Sequence, residues 1–208
     1  MRDMLLPVFT GMIEKIKPNL GNHVVLDEFI SLKNLYLEHH RHYHNWHHIS
    51  KMWGEFDNAR HLFRDPLAAE FALFYHDCIY TPTIVQSCNE VASYQRADFV
   101  LRKLGVTDIH FIIRVESNIL YEVNDQYENH DSILFKDMDY AILGKPHKEY
   151  EEYQKNITKE YIFAPMEERV TFLQSLLIRK KIYRSEYFQN LYEEHARKNI
   201  EHELESIV

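Results

Sequence analysis

Helical spacing of apolar residues runs along almost the whole chain and is seldom interrupted. Only 5 of the 208 residues are glycine and 6 are proline, whereas a fold made of many short strands needs such residues at its turns. The intervening stretches are rich in leucine, glutamate, lysine, arginine and alanine, which favour helices. With 45% hydrophobic residues, the chain can also bury a sizeable core. The sequence therefore predicts an all-α fold.

The apolar periodicity and the helix-capping residues place ten helices. Their predicted ranges are about 2–17, 26–40, 44–62, 66–77, 87–105, 107–121, 131–143, 147–160, 165–181 and 185–204. Pro66 suits the first turn of its helix, Ser87 to Glu90 has the form of a capping box, and Thr107 and Ser185 are predicted caps. No repeat or linker divides the chain. We therefore predict one helical domain over residues 1–208, with a core at about 26–145 and additional C-terminal helices at about 146–204.

Charge and cysteine content restrict the partners and the compartment. The formal net charge of −8 argues against binding a nucleic-acid polymer, but a small anionic substrate remains compatible because a metal and nearby Arg or His can invert the local field. Cys78 and Cys88 form no CxxC pair, so we expect a reducing, cytoplasmic setting, with Cys78 buried. The N-terminus lacks a secretory signal, and no apolar run approaches the roughly 20 residues that cross a membrane.

The sequence His76-Asp77 ends an apolar, helix-like run and is followed by a segment that turns through Pro82. Imidazole nitrogen and carboxylate oxygen are both metal ligands. Consecutive residues of a helix diverge by about 100°, so both side chains can reach one ion only where the helix ends or bends. The segment after Asp77 provides such a bend.

Two further candidate ligands come from other segments. His48 precedes His76 by 28 positions on a different predicted helix, and Asp139 follows Asp77 by 62. Together these four side chains would form a mixed nitrogen and oxygen site for one divalent ion, Mn²⁺, Fe²⁺, Co²⁺, Ni²⁺ or Zn²⁺, with Mg²⁺ as a further candidate. Asp137 is the alternative to Asp139 as the last ligand. Such an ion can polarise a phosphoryl oxygen and activate a water for hydrolysis.

Several stretches resemble one family, the predicted metal-dependent phosphohydrolases of the HD superfamily. The resemblance covers about residues 38–203. It is carried by HYHNWHHI at 42–49, ALFYHDCIY at 72–80, Asn89-Glu90, DMDYAILG at 137–144 and Ile182-Tyr183. It implies a helical HD domain and metal ligation by His48, His76, Asp77 and Asp139.

The chain departs from this family at one place. Related sequences carry a Thr-x-His pattern on the helix after the capped one, where this chain has Ser117 and Asn118. Of the histidines between Asp77 and Asp139, only His110 and His130 are available as extra ligands. We therefore expect one metal rather than two, with Asn118 in place of a histidine that touched the substrate or a second ion.

Other residues have both a functional and a structural interpretation. Arg41 and His42 could face a phosphate, since the guanidinium matches phosphate geometry, or form surface ion pairs. His44 could contact substrate or orient a ligand, while Asn45 is also a helix cap. Glu90 could act as general base or only close the capping box.

The resulting hypothesis is a cytoplasmic hydrolase that attacks a small phosphomonoester or nucleotide with a metal-activated water. Asp77 and Glu90 are its expected catalytic residues, and Arg41, His42, His44 and Asn118 its expected substrate contacts. The alternative is a catalytically weak HD-fold module that binds a metal, a nucleotide or a protein partner. A homodimer is compatible with either.

Overall fold

The computed structural model describes residues 3–82 and 86–207, and all regular structure in these ranges is helical. The predicted all-α fold is confirmed. The α-helices are α1 (Leu5–Ile16), α2 (Asn22–Tyr36), α3 (Trp46–Ala59), α4 (Pro66–Tyr75), α5 (Gln86–Lys103), α6 (Ile109–Ile119), α7 (His130–Asp139), α8 (His147–Glu160), α9 (Met166–Ile178) and α10 (Glu186–Ile207). Among the described residues, none of these helices is long and apolar enough to cross a membrane.

The chain divides into two compact units, Met1–Ser132 and Ile133–Val208. Helix α7 contains the point of division. The predicted single domain, with a core at about 26–145 and additional C-terminal helices at about 146–204, stays a prediction.

Helix α4 is the buried centre of the first unit and packs against α3, α5 and α6. Its eight consecutive residues from Ala68 to Tyr75 are all buried. The one charged side chain among them, Glu70, accepts a hydrogen bond from Arg60 at 3.1 Å. The rings of Phe71 and Phe74 are fully buried, and each contributes about 1.5–3 kcal/mol of hydrophobic stabilisation. This burial fixes the position of the residues that follow α4 directly.

The beginning of α4 is held by two carboxylates. Asp65 caps the helix, because its side chain accepts a hydrogen bond from the Ala68 N–H at 3.0 Å, and Pro66 opens the first turn as predicted. The buried Asp131 carboxylate accepts hydrogen bonds from the N–H groups of Arg64 and Asp65, at 2.9 and 2.8 Å. The two carboxylates therefore fix the first turn of α4 and the residues, Arg64 and Asp65, that lead into it.

The predicted bounds of two helices, α2 and α6, were wrong for local reasons. Helix α2 begins at Asn22 and ends at Tyr36, four residues before the predicted bounds at each end. Its first two residues, Asn22 and His23, are polar and exposed, so no apolar residue marks the start of the helix in the sequence. Helix α6 is capped by Asp108 rather than Thr107, because the Asp108 carboxylate accepts from the N–H groups of His110 and Phe111.

The second unit contains a buried polar network. Arg169 donates from Nε and one terminal nitrogen to the two carboxylate oxygens of Glu203, at 2.9 and 3.0 Å. The hydroxyl of Tyr150 also donates to Glu203, and Arg169 donates to the Tyr153 hydroxyl oxygen at 3.0 Å. The Glu203 side chain is only 2% exposed, so these contacts compensate for its removal from water.

Gly144 lies where the short helix Tyr140–Gly144 packs against α10. A β-carbon at this position would lie 2.7 Å from the carbonyl oxygen of Tyr192 and in contact with the β-carbon of the same residue. Such distances are inside van der Waals contact, so only glycine fits without a shift of the backbone.

Candidate metal centre

His48 lies in the first turn of α3, and the residues before it fix its orientation. Asn45 caps α3 by accepting a hydrogen bond from the His47 N–H at 2.9 Å, which confirms the capping role predicted for it. The Asn45 amide also donates to the carbonyl of His42 at 2.9 Å. His48 itself is buried, with 5% of its surface exposed.

His76 and Asp77 lie directly after the last residue of α4, in the turn that the sequence predicts. Nδ1 of His76 is 2.9 Å from the carbonyl oxygen of Leu73. A carbonyl only accepts, so this nitrogen carries the proton and, in the neutral ring, Nε2 keeps a lone pair. This is the arrangement of a metal-binding histidine, whose second nitrogen donates to a backbone carbonyl.

The three ligand atoms form a small triangle. Nε2 of His76 is 3.3 Å from Nε2 of His48 and 3.2 Å from Oδ2 of Asp77, and Nε2 of His48 is 3.8 Å from the same oxygen. A circle through three points with these separations has a radius of about 2.0 Å, which matches the roughly 2.0–2.2 Å bonds of Zn²⁺ to imidazole and carboxylate. His48, His76 and Asp77 could therefore hold a metal ion.

The electrostatics of this triangle also suit a cation. Burial alone would raise the pKa of Asp77, but the charge and hydrogen bond of His76, with further contributions from His44 and His48, hold that pKa below its ordinary value. Asp77 is therefore ionised at neutral pH. The C-terminal end of α4, with its partial negative charge, lies at the same place.

Arg41 has a different role from the predicted phosphate contact. Its side chain is fully buried, and its Nε donates to Glu38 at 3.0 Å. One terminal nitrogen donates to the carbonyls of His44 and Asp77, at 3.0 and 2.7 Å, and the other to that of Cys78 at 3.0 Å. A guanidinium occupied in this way does not reach a substrate, so the prediction for Arg41 was wrong.

Two polar side chains of α5, Ser93 and Asn89, hold the backbone after Asp77. The Ser93 hydroxyl accepts from the Ile79 N–H at 3.0 Å and donates to the Ile79 carbonyl at 3.1 Å. The Asn89 amide makes the same pair of contacts with Thr81, at 3.0 and 3.1 Å. Sequence reasoning missed Ser93, although its position four residues after Asn89 places both polar groups on one face of α5. The turn is thus fixed by side chains rather than by regular structure.

Glu90 follows Asn89 on α5 and is half-buried. Helix α5 begins at Gln86, so Ser87 is inside the helix. Its side chain, and with it the predicted capping box, lies outside the described residues. The proposed general-base role of Glu90 stays a prediction.

His42 and His44 lie on the segment between α2 and α3. His42 is exposed and His44 is half-buried. The His44 ring lies 5.8 Å from the His48 ring and 4.6 Å from the ring of Tyr80. His44 is therefore beside the triangle of His48, His76 and Asp77, and its role in substrate contact stays a prediction.

Asp139 and Asp137 belong to the second unit. Asp139 is half-buried at the end of α7, and its role as the fourth ligand stays a prediction. The Asp137 carboxylate is 2% exposed, and its two oxygens accept from the N–H groups of Arg184 and Ser185 at 2.6–3.0 Å. Since both oxygens of Asp137 are used in this way, Asp139 is the better candidate.

Neither of the additional histidines joins the triangle. His110 is exposed in the first turn of α6, and Nε2 of His130 lies 3.0 Å from the carbonyl of Leu62. Within residues 3–82 and 86–207, His48, His76 and Asp77 form the one group of three or more His, Cys, Asp or Glu side chains that could hold an ion.

Cys78 is buried as predicted, and burial raises the pKa of its thiol to about 12, so it is unreactive.

Asn118 is 1% exposed on α6, and neither its amide nitrogen nor its amide oxygen has a hydrogen-bond partner among the described residues. A buried polar group without a partner costs about 1–3 kcal/mol. This is an unfavourable feature of the first unit, and the predicted substrate contact of Asn118 stays a prediction.

We expect Asn118→Leu to raise the free energy of unfolding by about 1–3 kcal/mol, because it removes an unpaired buried amide while keeping the branching and the number of heavy atoms of the side chain. Denaturant titration measures the change. The matched control is Ser93→Ala, which removes a buried polar group whose hydrogen bonds are made and should lower the free energy of unfolding. A loss of stability in Asn118→Leu would show that water or an ion binds the amide in solution.

In comparisons with known proteins, no family model, curated protein or solved structure matches the chain. The resemblance to the HD phosphohydrolases therefore rests on the motifs quoted above.

Proposed function

We propose that the protein is a metal-dependent hydrolase of a small phosphomonoester or nucleotide. The observation that carries the proposal is the triangle of His48, His76 and Asp77, whose ligand atoms are already separated by the distances of a metal coordination sphere. The proposed fourth ligand is Asp139. A divalent ion bound by these residues would act as a Lewis acid toward a phosphoryl oxygen and lower the pKa of a water.

The ligand chemistry supports a transition metal over Ca²⁺. Two imidazole nitrogens and one carboxylate suit Zn²⁺, Mn²⁺, Fe²⁺, Co²⁺ or Ni²⁺, whereas Ca²⁺ takes oxygen ligands. The tautomer of His76 is set by the Leu73 carbonyl, so this ligand needs no rearrangement before binding. Asp77 supplies the negative charge that neutralises part of the cation.

Other residues of the chain supply the groups that an ester hydrolysis needs. His44 lies beside the triangle and could bind a phosphate oxygen. His42 is exposed on the same segment and could bind the substrate as it enters. Glu90 is the proposed general base that accepts a proton from the attacking water.

The first test measures metal content and hydrolysis together. Protein purified without chelator should contain about one transition metal per chain, and with Mn²⁺, Co²⁺ or Ni²⁺ it should hydrolyse an aryl phosphate or a common nucleotide. His48→Ala should lose both properties. His47→Ala is the matched control, since His47 is the exposed neighbour on the same helical turn, and it should keep both.

Replacing Glu90 by Gln separates its two interpretations. If Glu90 is the general base, the rate of hydrolysis should fall by about 10²–10⁴ while metal content and melting temperature are unchanged. If the side chain only bonds a backbone N–H, Gln keeps that bond and the rate should barely change. Retained activity would therefore remove Glu90 from the proposed mechanism.

Two results would contradict the hydrolase proposal. Protein without metal, after purification that protects it, would contradict the site itself. Metal-loaded protein that hydrolyses neither an aryl phosphate nor a nucleotide would favour the alternative, an HD-like module that binds rather than hydrolyses.

A further inference from the structure

The Arg41 guanidinium connects the two segments that carry the metal ligands. On one side it holds the carbonyl of His44, four residues before His48 on the segment that leads into α3. On the other side it holds the carbonyls of Asp77 and Cys78, directly after α4. One buried side chain therefore contacts the backbone on both sides of the triangle.

The surroundings of Arg41 keep this group fixed. Its Nε is anchored by Glu38 at 3.0 Å. Its guanidinium lies between the rings of Tyr36 and Tyr80, with centroid distances of 5.1 and 5.3 Å. Tyr36 is itself fixed, since its hydroxyl donates to the Phe74 carbonyl in α4 at 3.0 Å.

We propose that Arg41 is a positioning residue that sets the separation of His48 from His76 and Asp77, and thereby the affinity and geometry of the metal site. This inference rests on the proposed metal site. Arg41 touches neither the ligand atoms nor a substrate, and it acts through the backbone of Asp77 and His44. Only a planar fork with several N–H groups can hold both segments in this way, so lysine does not replace it.

The test uses the full chain with Arg41→Lys. We expect the variant to bind Co²⁺ and Mn²⁺ about 10–100-fold more weakly, as is typical when a group that orients metal ligands is lost. The absorption spectrum of the variant saturated with Co²⁺ should also differ from that of the parent protein, because the spectrum reports the arrangement of the ligands. A residue that served only stability would leave the saturated spectrum unchanged.

The matched control is Asp131→Asn. Asp131 is a buried clamp at the opposite end of α4, where it holds the N–H groups of Arg64 and Asp65. We expect this variant to lower the melting temperature while its metal affinity and Co²⁺ spectrum stay those of the parent protein.

The outcomes separate this inference from the proposed function. If the parent protein binds metal and Arg41→Lys binds it equally with the same spectrum, the inference is overturned and the metal site stands. If the parent protein binds no metal, both the inference about Arg41 and the proposed metal site are refuted. Should Arg41→Lys fail to fold, Glu38→Ala decides, because it removes the anchor of Nε from a half-exposed position. A fall in its metal affinity supports the inference, and an unchanged affinity overturns it.

Discussion

Asp77→Ala protein is expected to contain no bound metal and to hydrolyse phosphate esters at a rate at least about 100-fold below that of the parent protein. Loss of a residue that only orients a ligand typically costs 10–100-fold in affinity or activity, so loss of a direct, charged ligand should cost no less. Asp77 is the one carboxylate of the triangle, and its removal leaves the triangle with two imidazoles and no negative charge to neutralise the cation. Metal analysis and a phosphatase assay on the same preparation measure both effects.

The control for this prediction is Asp57→Ala. Asp57 is an exposed carboxylate on α3, so its replacement changes the net charge by the same amount without touching the triangle. Asp77→Asn adds a second comparison, since it keeps the shape of the side chain and removes the charge. If Asp77→Ala kept a full complement of metal, the ligand assignment would be refuted.

Arg169→Met is expected to lower the free energy of unfolding by about 3–5 kcal/mol. It removes one partner of a buried ion pair and leaves the Glu203 carboxylate away from water, with the Tyr150 hydroxyl as its remaining partner among the described residues. Denaturant titration measures the loss. The loss should appear in the unfolding of the second unit, which contains Arg169, Glu203 and Tyr150.

Two further variants make this prediction specific. Lys198→Met breaks an ion pair with Glu194 in the same helix, α10, but both side chains are exposed and the change in stability should be far smaller. The double variant Arg169→Met with Glu203→Leu replaces the buried pair by apolar groups and should recover most of the lost stability. A mild effect of Arg169→Met alone would show that Glu203 reaches water in solution.

Sequence reasoning predicted the fold because helical periodicity is a local property. The positions of α1, α4 and α8 follow directly from apolar spacing, Asp65-Pro66 and Gly144-Lys145-Pro146. The triangle of His48, His76 and Asp77 was predictable for a related reason. Two adjacent ligand residues at the end of an apolar helix indicate a site even before the third ligand is placed.

A local sequence pattern does not reveal contacts between residues that are far apart in the chain. Arg41 precedes the candidate ligand His48 and its guanidinium matches phosphate geometry, which suggests a phosphate contact. The structure instead buries the guanidinium against carbonyls 36 and 37 positions away. The pairing of Ser93 with Ile79 has the same character. In both cases the sequence shows a polar residue type, and only the fold decides whether that residue faces the ligand or supports the backbone.

Two residues of the motif DMDYAILG at 137–144, Gly144 and Asp137, have structural roles that explain their presence. Gly144 is required because α10 leaves no room for a side chain, and Asp137 because it binds the N–H groups of Arg184 and Ser185. Neither requirement involves the reaction.

A mutational scan read by protein abundance should therefore find Gly144 and Asp137 intolerant of substitution, whether or not the chain hydrolyses a substrate. A chain could keep both residues for folding alone after its chemistry had been lost. Retention of Gly144 and Asp137 therefore reports on the fold and carries no information about a reaction.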